Sequence, residues 1–275
     1  MKILAHALPQ LGIAHFTTID VEPLAFVQMA ARIGYARVGL RLHPAFPGAP
    51  YYEIPVTSES MRSMRACLAD NNISVYDIEF AVIDPNFQTA TLAPILESAA
   101  TLGAQRLSVC GDDADVARLV DNFGRLCDLA AEHGMGVDLE VMPWRTVGTL
   151  ASATNIIQAS GRSNAAILVD ALHLSRSGGD PADLRLLPAA KIMSAQLCDA
   201  VAVRPKTNEA LITEARGERL LPGTGALPLQ RLISELPDHT KLSVEVPTIG
   251  LAPEQHARSV YVAAIDLLTA NALSA

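Results

Sequence analysis

Residues 136–144 of the 275-residue chain read GVDLEVMPW, and residues 165–173 read AAILVDALH. Each stretch begins with a short apolar run and ends on polar residues, which is typical of a strand buried on both faces. Residues 149–160, between them, have the apolar spacing of a helix. A strand, a helix and a second strand in this order predict two parallel strands joined by a right-handed crossover.

The same alternation continues toward both ends of the chain. The pattern predicts strands at Ile3–Leu8, 35–42, 73–83, 105–110, 136–142, 165–170, 191–198 and 241–246. It predicts helices at Val21–Ile33, 58–70, 90–103, from Asp112–Asp115 to Gly134, and at 149–160, 181–189, 228–236 and 253–272. No GxGxxG follows the first strand, which disfavours an open dinucleotide-binding sheet. Eight strand–helix units close a barrel, so we predict one α/β domain over residues 1–275, a (β/α)8 TIM barrel.

Composition and charge exclude several classes of protein. Half of the residues are hydrophobic, which is ample for a large core and excludes a disordered chain. The net charge is −8, without a basic cluster, so we expect no nucleic-acid partner. No apolar run approaches the ~20 residues of a membrane span, and His6 and Pro9 interrupt the N-terminal apolar stretch too early for a secretory signal. The four cysteines form no CxxC pair, so a reduced, cytoplasmic protein is expected.

One connection is longer than the others. Residues 199–226 separate the seventh predicted strand from its helix, and they contain several arginines and the turn-rich sequence LPGTGALP. Long connections in compact domains are usually functional or disordered. Since this one leaves the carboxyl end of a barrel strand, where barrel active sites lie, we interpret it as a lid or a substrate-contacting loop.

Polar residues end the last four strands. Glu140 lies near the end of the fifth, Asp170 ends the sixth, Gln196 and Asp199 end the seventh, and Glu245 lies between Val244 and Val246 in the eighth. A carboxylate in a buried strand is costly unless it is paired or binds a cation. One such residue is usually a cap or an ion pair, but four on consecutive strands point to an oxygen-rich site for a divalent cation such as Mg²⁺ or Mn²⁺.

These segments together resemble the xylose isomerase-like barrel superfamily of sugar isomerases, epimerases and related dehydratases. The resemblance rests on DLEVMPW, LVDALH, SAQLCDA and LSVEVP, and on the stretch ERLLPGTG. It implies that Glu140, Asp170, Gln196 and Glu245 bind one divalent cation, with Mn²⁺ or Mg²⁺ expected and Co²⁺ or Zn²⁺ left open. It also implies that Glu140 and Glu245 act as acid and base, that His173 moves a proton or holds a hydroxyl, and that Arg219 contacts the substrate.

The implied activity is an isomerase or epimerase of a small sugar or keto-polyol, which removes a proton next to a carbonyl and forms a metal-stabilised enediolate. Gln196 stands where ketose 3-epimerases usually have histidine. This difference and the D-x-x-H of Asp170 and His173 keep a second reading open, a dehydratase (lyase) of a polyhydroxylated cyclic ketone such as 3-dehydroshikimate. The resemblance leaves a homo-oligomer open. It also covers multi-zinc repair nucleases, but those need several histidines and a basic groove. A further alternative is a non-enzymatic binding module, in which these residues would no longer bind a cation.

Further candidates for substrate binding stand at strand ends and in the long connection. They are Arg216, Trp144, His6, His43 and Glu79. Trp144 follows the Glu140 strand, where it would offer a wall for stacking or simply pack into the core. The two histidines end the first and second predicted strands, and Glu79 belongs to the third. For each of these residues a structural role, such as a cap or an ion pair, is an equal alternative.

Overall fold

Eight parallel strands form a closed barrel in sequential order in the computed structural model, which describes residues 10–247 and 250–274. The strands are β1 (Gly12–Ile13), β2 (Arg37–Leu40), β3 (Ser74–Ile83), β4 (Arg106–Gly111), β5 (Gly136–Glu140), β6 (Ala165–Asp170), β7 (Ile192–Leu197) and β8 (Lys241–Val244). β1 pairs with both β2 and β8 and thereby closes the ring. The predicted (β/α)8 TIM barrel is confirmed.

Helices connect the strands on the outside of the barrel. They are α1 (Pro23–Ile33), α2 (Glu59–Asp70), α3 (Ala93–Thr101), α4 (Val116–Glu132), α5 (Leu150–Ser160), α6 (Ala171–Arg176), α7 (Asn208–Gly217), α8 (Leu229–Glu235) and α9 (Pro253–Ser274). Local sequence sets their ends. Gly34 ends α1 at φ +115°, a conformation that glycine adopts without a Cβ clash. Asp115 begins α4, and its carboxylate accepts a hydrogen bond from the Arg118 N–H at 3.1 Å.

Three elements of the structure differ from the predicted ones. The strand predicted at Ile3–Leu8 lies outside the described residues, and the first barrel strand is the two-residue β1. The helix predicted at 181–189 is a 3-10 helix over Pro181–Leu186, while α6 follows β6 directly. The sequence reading missed α6 because no turn residue separates it from the strand that precedes it.

The long connection 199–226 is not irregular throughout, because it contains α7. Thr207 begins this helix, and its hydroxyl accepts a hydrogen bond from the Ala210 N–H at 3.2 Å. A buried bidentate pair joins α7 to α6, with the Arg176 guanidinium 2.7 and 2.8 Å from the Glu214 carboxylate oxygens. The connection is therefore attached to the helix that follows β6, and it stands over the carboxyl end of the barrel.

The core lies between the barrel and its helices, with Phe26 of α1 and Phe123 of α4 fully buried. Inside the barrel the packing is so close that β2 needs a glycine. A Cβ on Gly39 would lie 2.5 Å from the Glu79 Oε1 atom and 2.7 Å from the Asp77 Oδ1 atom. Among the described residues, no helix is long and apolar enough to cross a membrane.

Candidate metal centre and active site

The four predicted ligands lie at one end of the barrel. Glu140 ends β5, Asp170 ends β6, Gln196 lies one residue before the end of β7, and Glu245 directly follows β8. Because all strands are parallel, their carboxyl ends meet at the same edge, and Asp170 pairs in register with Gln196. All four side chains are buried. The Gln196 Nε2 atom lies 3.4 Å from the Glu245 Oε1 atom.

Asp170 brings His173 into the same place. One Asp170 carboxylate oxygen begins α6 by accepting a hydrogen bond from the His173 N–H at 2.8 Å. The first turn of α6 then directs the imidazole over the barrel mouth, where its Nε2 atom lies 3.9 Å from the Glu140 Oε1 atom. The Trp144 ring meets the imidazole edge-on, with ring centroids 5.1 Å apart. The D-x-x-H spacing is thus a helix cap that also orients a histidine.

Arg219 connects three of these groups from the other side. Its guanidinium lies 2.6 Å from the Asp170 carboxylate and 2.9 Å from the Glu245 carboxylate. The Nη2 atom is also 3.4 Å from His173 Nε2. The Arg219 Nε–H donates to the carbonyl oxygen of Ala215 at 2.9 Å, which holds the side chain against α7. Glu140 is the carboxylate of the group that this arginine does not contact.

Burial and crowding of carboxylates change the protonation of the site. Burial, together with the negative charges of Glu245 and Asp170, raises the pKa of Glu140 well above its ordinary value. Burial also raises the pKa of Glu245 to about 7, although Arg219 opposes this change. For Asp170 burial acts upward, but Arg219 and His173 outweigh it and lower the pKa. Burial lowers the pKa of His173 to about 4, so its imidazole is neutral at pH 7.

The site has the donors that a divalent cation needs. Ligand atoms of Glu140, Asp170 and His173 all lie within 4.8 Å of one another. Two buried polar atoms in the same place, Gln196 Oε1 and His173 Nδ1, have no hydrogen-bond partner. Buried polar atoms normally have a partner, so these two mark a site for a further group. Carboxylate, amide and imidazole donors of this kind suit a small divalent cation. The sequence reading did not include His173 among the ligands, whereas this cluster does.

The remaining sequence-predicted residues are only partly brought together. Trp144, Arg216 and Glu79 line the cavity above the centre. His43 lines a different surface groove beside Tyr51 and Glu53, so it does not join them. His6 lies outside the described residues. Asp199, the other strand-end residue of the seventh segment, holds the LPGTGALP turn through hydrogen bonds from the Gly223, Gly225 and Leu227 N–H groups.

Several residues of the cavity were not found from the sequence. Arg41 comes directly after β2 and lines the cavity with Phe16, Phe46 and Arg145. Arg41 stands at a strand end like the predicted ligands, so its position in the sequence could have indicated that it faces the cavity. Phe16 lies in a short 3-10 helix after β1, and the other two lie in loops after β2 and β5. In such connections no sequence pattern distinguishes a side chain that faces the cavity from one that faces solvent.

Known proteins share this architecture and, over part of the chain, its sequence. A family model described as xylose isomerase-like TIM barrel matches residues 27–270. A 3-dehydroshikimate dehydratase of Pseudomonas aeruginosa is 28% identical over 134 residues, which is 46% of this chain and 20% of that protein. An inosose isomerase of Halalkalibacterium halodurans is 30% identical over 119 residues, 42% of this chain and 40% of that protein. The matches therefore span well under half the length of these relatives.

Solved structures agree with the fold at lower identity. The IOLI protein with a bound zinc atom superposes with a TM-score of 0.78 at 19% identity, covering 95% of this chain and 98% of that one. The probable 3-DHS dehydratase AsbF from Bacillus anthracis superposes with a TM-score of 0.72 at 16% identity, covering 95% and 99%. At such identities the likeness extends to the fold alone.

Proposed function

The chain belongs to the xylose isomerase-like TIM barrel family, and on this basis we propose that it is a divalent-cation-dependent enzyme acting on a small polyhydroxylated ketone. The proposed reaction starts with removal of a proton next to the carbonyl group. The single observation that carries the proposal is the buried group at the barrel mouth, where Glu140, Asp170, Gln196, Glu245 and His173 meet with two polar atoms unpartnered.

Charge supports the choice of a divalent cation. This group has three buried carboxylates, and Arg219 pairs with two of them, Asp170 and Glu245, which leaves a formal charge of −2 when all three are ionised. We propose that Glu140, Asp170, Gln196 and Glu245 hold Mn²⁺ or Mg²⁺, with His173 as a neighbouring donor. A bound cation of this kind would polarise the substrate carbonyl and so make the proton on the adjacent carbon easier to remove.

The chain's own residues would move the protons. His173 is neutral at pH 7 and its Nδ1 atom has no partner, so it is able to accept a proton from the carbon next to the carbonyl. In a dehydration, the same proton leaves with the β-hydroxyl group as water, while the C–H electron pair becomes the new carbon–carbon double bond. Trp144 packs against the imidazole and limits its rotation.

Two continuations of this first step remain, and each has an observation in its favour. Dehydration to an unsaturated acid or ketone is favoured by the position of His173 and by relatives named 3-dehydroshikimate dehydratase. Isomerisation or epimerisation is favoured by Glu140 and Glu245, two buried carboxyls of raised pKa on β5 and after β8, and by a relative named inosose isomerase. We place dehydration first, because it uses the imidazole as well as the carboxylates.

The test is a product assay with the purified protein loaded with Mn²⁺. With 3-dehydroshikimate, dehydration produces an ultraviolet-absorbing aromatic acid; with inosose in deuterated water, isomerisation incorporates deuterium that NMR detects. Glu245→Gln is the matched variant, since it removes one charge and keeps the side-chain shape. Product from the first substrate supports the dehydratase, and deuterated product from the second supports the isomerase. Equal turnover by wild type and Glu245→Gln, or with Mn²⁺ removed by a chelator, contradicts the cation-dependent mechanism.

A further inference from the structure

Glu245 stands at the seam where the barrel closes between β8 and β1. The two-residue β1 pairs with the last two residues of β8. The Ala14 N–H then donates one more hydrogen bond to the Val244 carbonyl oxygen at 2.9 Å, and the chain turns into the 3-10 helix His15–Thr18. The strand on this side of β8 therefore ends just before the level at which Glu245 enters the cavity.

A side chain of that 3-10 helix, the buried hydroxyl of Thr17, contacts the chain on both sides of Glu245. The hydroxyl oxygen accepts a hydrogen bond from the Val246 N–H at 3.2 Å, and the hydroxyl donates one to the Val244 carbonyl oxygen at 3.4 Å. A threonine hydroxyl can serve both groups, because it is a donor and an acceptor at once. Since a buried backbone N–H without a partner is costly, these bonds stabilise one backbone path for the segment that carries Glu245.

The peptide groups of Glu245 itself are held from other elements. Its N–H donates to the Leu197 carbonyl oxygen of β7 at 3.2 Å, which continues the barrel on the opposite side from β1. Its carbonyl oxygen accepts a hydrogen bond from the Arg219 guanidinium at 3.3 Å. Backbone bonding to β7 thus fixes one side of the segment, whereas a single side-chain oxygen, that of Thr17, fixes the other side at this level.

The helix that carries Thr17 is fixed to the barrel by Glu79 of β3. Ala14, which precedes the helix, has no polar side chain to cap it. Instead the Glu79 Oε1 atom accepts a hydrogen bond from the His15 N–H at 2.6 Å, and its Oε2 atom accepts one from the Phe16 N–H at 3.2 Å. A carboxylate satisfies the free N–H groups of a helix start particularly well. The position of Thr17 is therefore set by a strand of the barrel and not by the loop alone.

We propose that Thr17 is a positioning residue for Glu245, because its hydroxyl fixes the backbone from which that carboxylate reaches the cation site. This inference rests on the proposed function, in which Glu245 is a cation ligand. The carboxylate lies 2.9 Å from the Arg219 guanidinium and 3.4 Å from the Gln196 Nε2 atom, and both distances depend on the backbone position. Metal–ligand distances vary by only about 0.2 Å, so loss of the hydroxyl should weaken cation binding without removing a ligand.

Isothermal titration calorimetry with Mn²⁺ alone, on the full chain, tests the inference. Thr17→Val keeps the side-chain shape and removes the hydroxyl. We expect the Kd for Mn²⁺ to rise about tenfold in this variant, the lower end of the effect of removing a group that orients a metal ligand. Thr17→Ser keeps the hydroxyl, so it is expected to bind Mn²⁺ as tightly as wild type.

Ser160→Ala is the matched structural control. The buried Ser160 hydroxyl also bridges two backbone groups, since it donates to the Ile157 carbonyl oxygen at 2.8 Å and accepts from the Arg162 N–H at 3.5 Å. It does so where α5 ends, which is the end of the barrel opposite to the cation site. Thermal unfolding should show a lower melting temperature for both Thr17→Val and Ser160→Ala, but only Thr17→Val should change the Kd for Mn²⁺.

The outcomes separate this inference from the proposed function. A folded Thr17→Val that binds Mn²⁺ as tightly as wild type overturns the inference, and so does equal weakening in Thr17→Ser or Ser160→Ala. If the valine variant does not fold, Thr17→Ala, which leaves space for a water molecule, is measured in its place. Glu245→Ala, with Thr17 intact, tests the ligand itself. Unchanged Mn²⁺ binding in Glu245→Ala contradicts the proposed function and the inference with it, whereas weaker binding there and none of the expected change at Thr17 contradicts the inference alone.

Discussion

Two layers of polar side chains lie inside the same barrel and differ in how completely they are paired. In the lower layer, Asp138 of β5 binds the Arg106 guanidinium through one oxygen and the Ser194 hydroxyl through the other, at 2.6 Å for the serine. In the upper layer, Glu140 lies two residues further along β5 on the same face. Among the described residues Glu140 accepts no hydrogen bond. The nearest side chain able to form an ion pair with it is His173, whose Nε2 atom lies 3.9 Å from the Glu140 Oε1 atom.

From this difference we interpret Asp138 as a structural carboxylate and propose a functional role for Glu140. A buried carboxylate whose oxygens are paired stabilises a particular packing, whereas an unpartnered one costs several kcal/mol. The upper layer retains unpartnered buried atoms at Gln196 Oε1 and His173 Nδ1. Such uncompensated groups in a buried cluster are expected where a ligand completes the site. Completeness of pairing, rather than burial or charge, is what distinguishes the two layers.

Substitutions in the upper layer should produce the largest effect, and on activity. Glu140→Gln and Glu245→Gln each remove a carboxylate from the proposed cation and acid–base set, so we expect turnover to fall by about 10²–10⁴-fold. The folded state should not suffer, because each change relieves repulsion among buried carboxylates, and in Glu245→Gln the Arg219 guanidinium keeps its ion pair with Asp170. Steady-state kinetics and thermal unfolding measure the two quantities. If both variants kept wild-type turnover, the upper layer would be structural like the lower one.

The matching change in the lower layer should act on stability instead. Asp138→Asn leaves the buried Arg106 guanidinium without a negative partner, and breaking a buried pair in this way costs about 3–5 kcal/mol. Urea unfolding gives the free energy, and Ser108→Ala, which removes one hydroxyl bond to Asp77, serves as a milder control in the same layer. An Asp138→Asn protein as stable as wild type would mean that the lower layer contributes little to the fold.

His15 extends the comparison to the barrel mouth, where it is fully paired. Its Nε2–H donates to the Val21 carbonyl oxygen at 2.8 Å, and its Nδ1 accepts from the Arg41 N–H at 3.3 Å. Burial lowers its pKa from 6.5 to about 4. Between these values the unfolded chain binds more protons than the folded one, so this histidine's contribution to stability is lost as pH falls from 6.5 to 4. The slope is about 1.4 kcal/mol per pH unit.

The variant His15→Asn measures that contribution. Asparagine keeps a short polar side chain but does not titrate, so the difference in unfolding free energy between wild type and variant should shrink as pH falls from 6.5 toward 4. Urea unfolding at several pH values records it. A difference that stays constant over this range would show that burial does not keep His15 neutral in the folded protein.

The smallest effect is expected for Arg219, which pairs with two of the proposed cation ligands. Arg219 neutralises Asp170 and Glu245, the same carboxylates that the cation is proposed to bind. Arg219→Gln removes the repulsion between the guanidinium and the cation, so we expect the Kd for Mn²⁺ to fall about tenfold, or about 1.4 kcal/mol. Calorimetric titration measures it. Weaker Mn²⁺ binding in the variant would mean that Arg219 orients the ligands more than it competes with the metal.

The fold and four strand-end residues could be predicted because both depend on regular spacing. Alternating strand and helix periods lead to a closed barrel, and parallel strands bring Glu140, Asp170, Gln196 and Glu245 to one edge. The prediction was weaker where spacing is irregular. The two-residue β1, the helix α6 directly after β6, and α7 inside the connection 199–226 were all missed. None of the three is announced by a turn residue or a long periodic segment.

Repeating apolar periods are therefore sufficient to establish the barrel and the end at which the polar strand-end residues meet, since they act locally and recur along the chain. They are not sufficient to establish that Arg219 reaches Asp170 and Glu245, or that Arg216 stacks on Phe46. Those contacts join side chains from distant loops, and their geometry depends on how α6 and α7 pack together through Arg176 and Glu214. Pairing in a buried site is a property of the folded arrangement, because each group's partner comes from a different part of the chain.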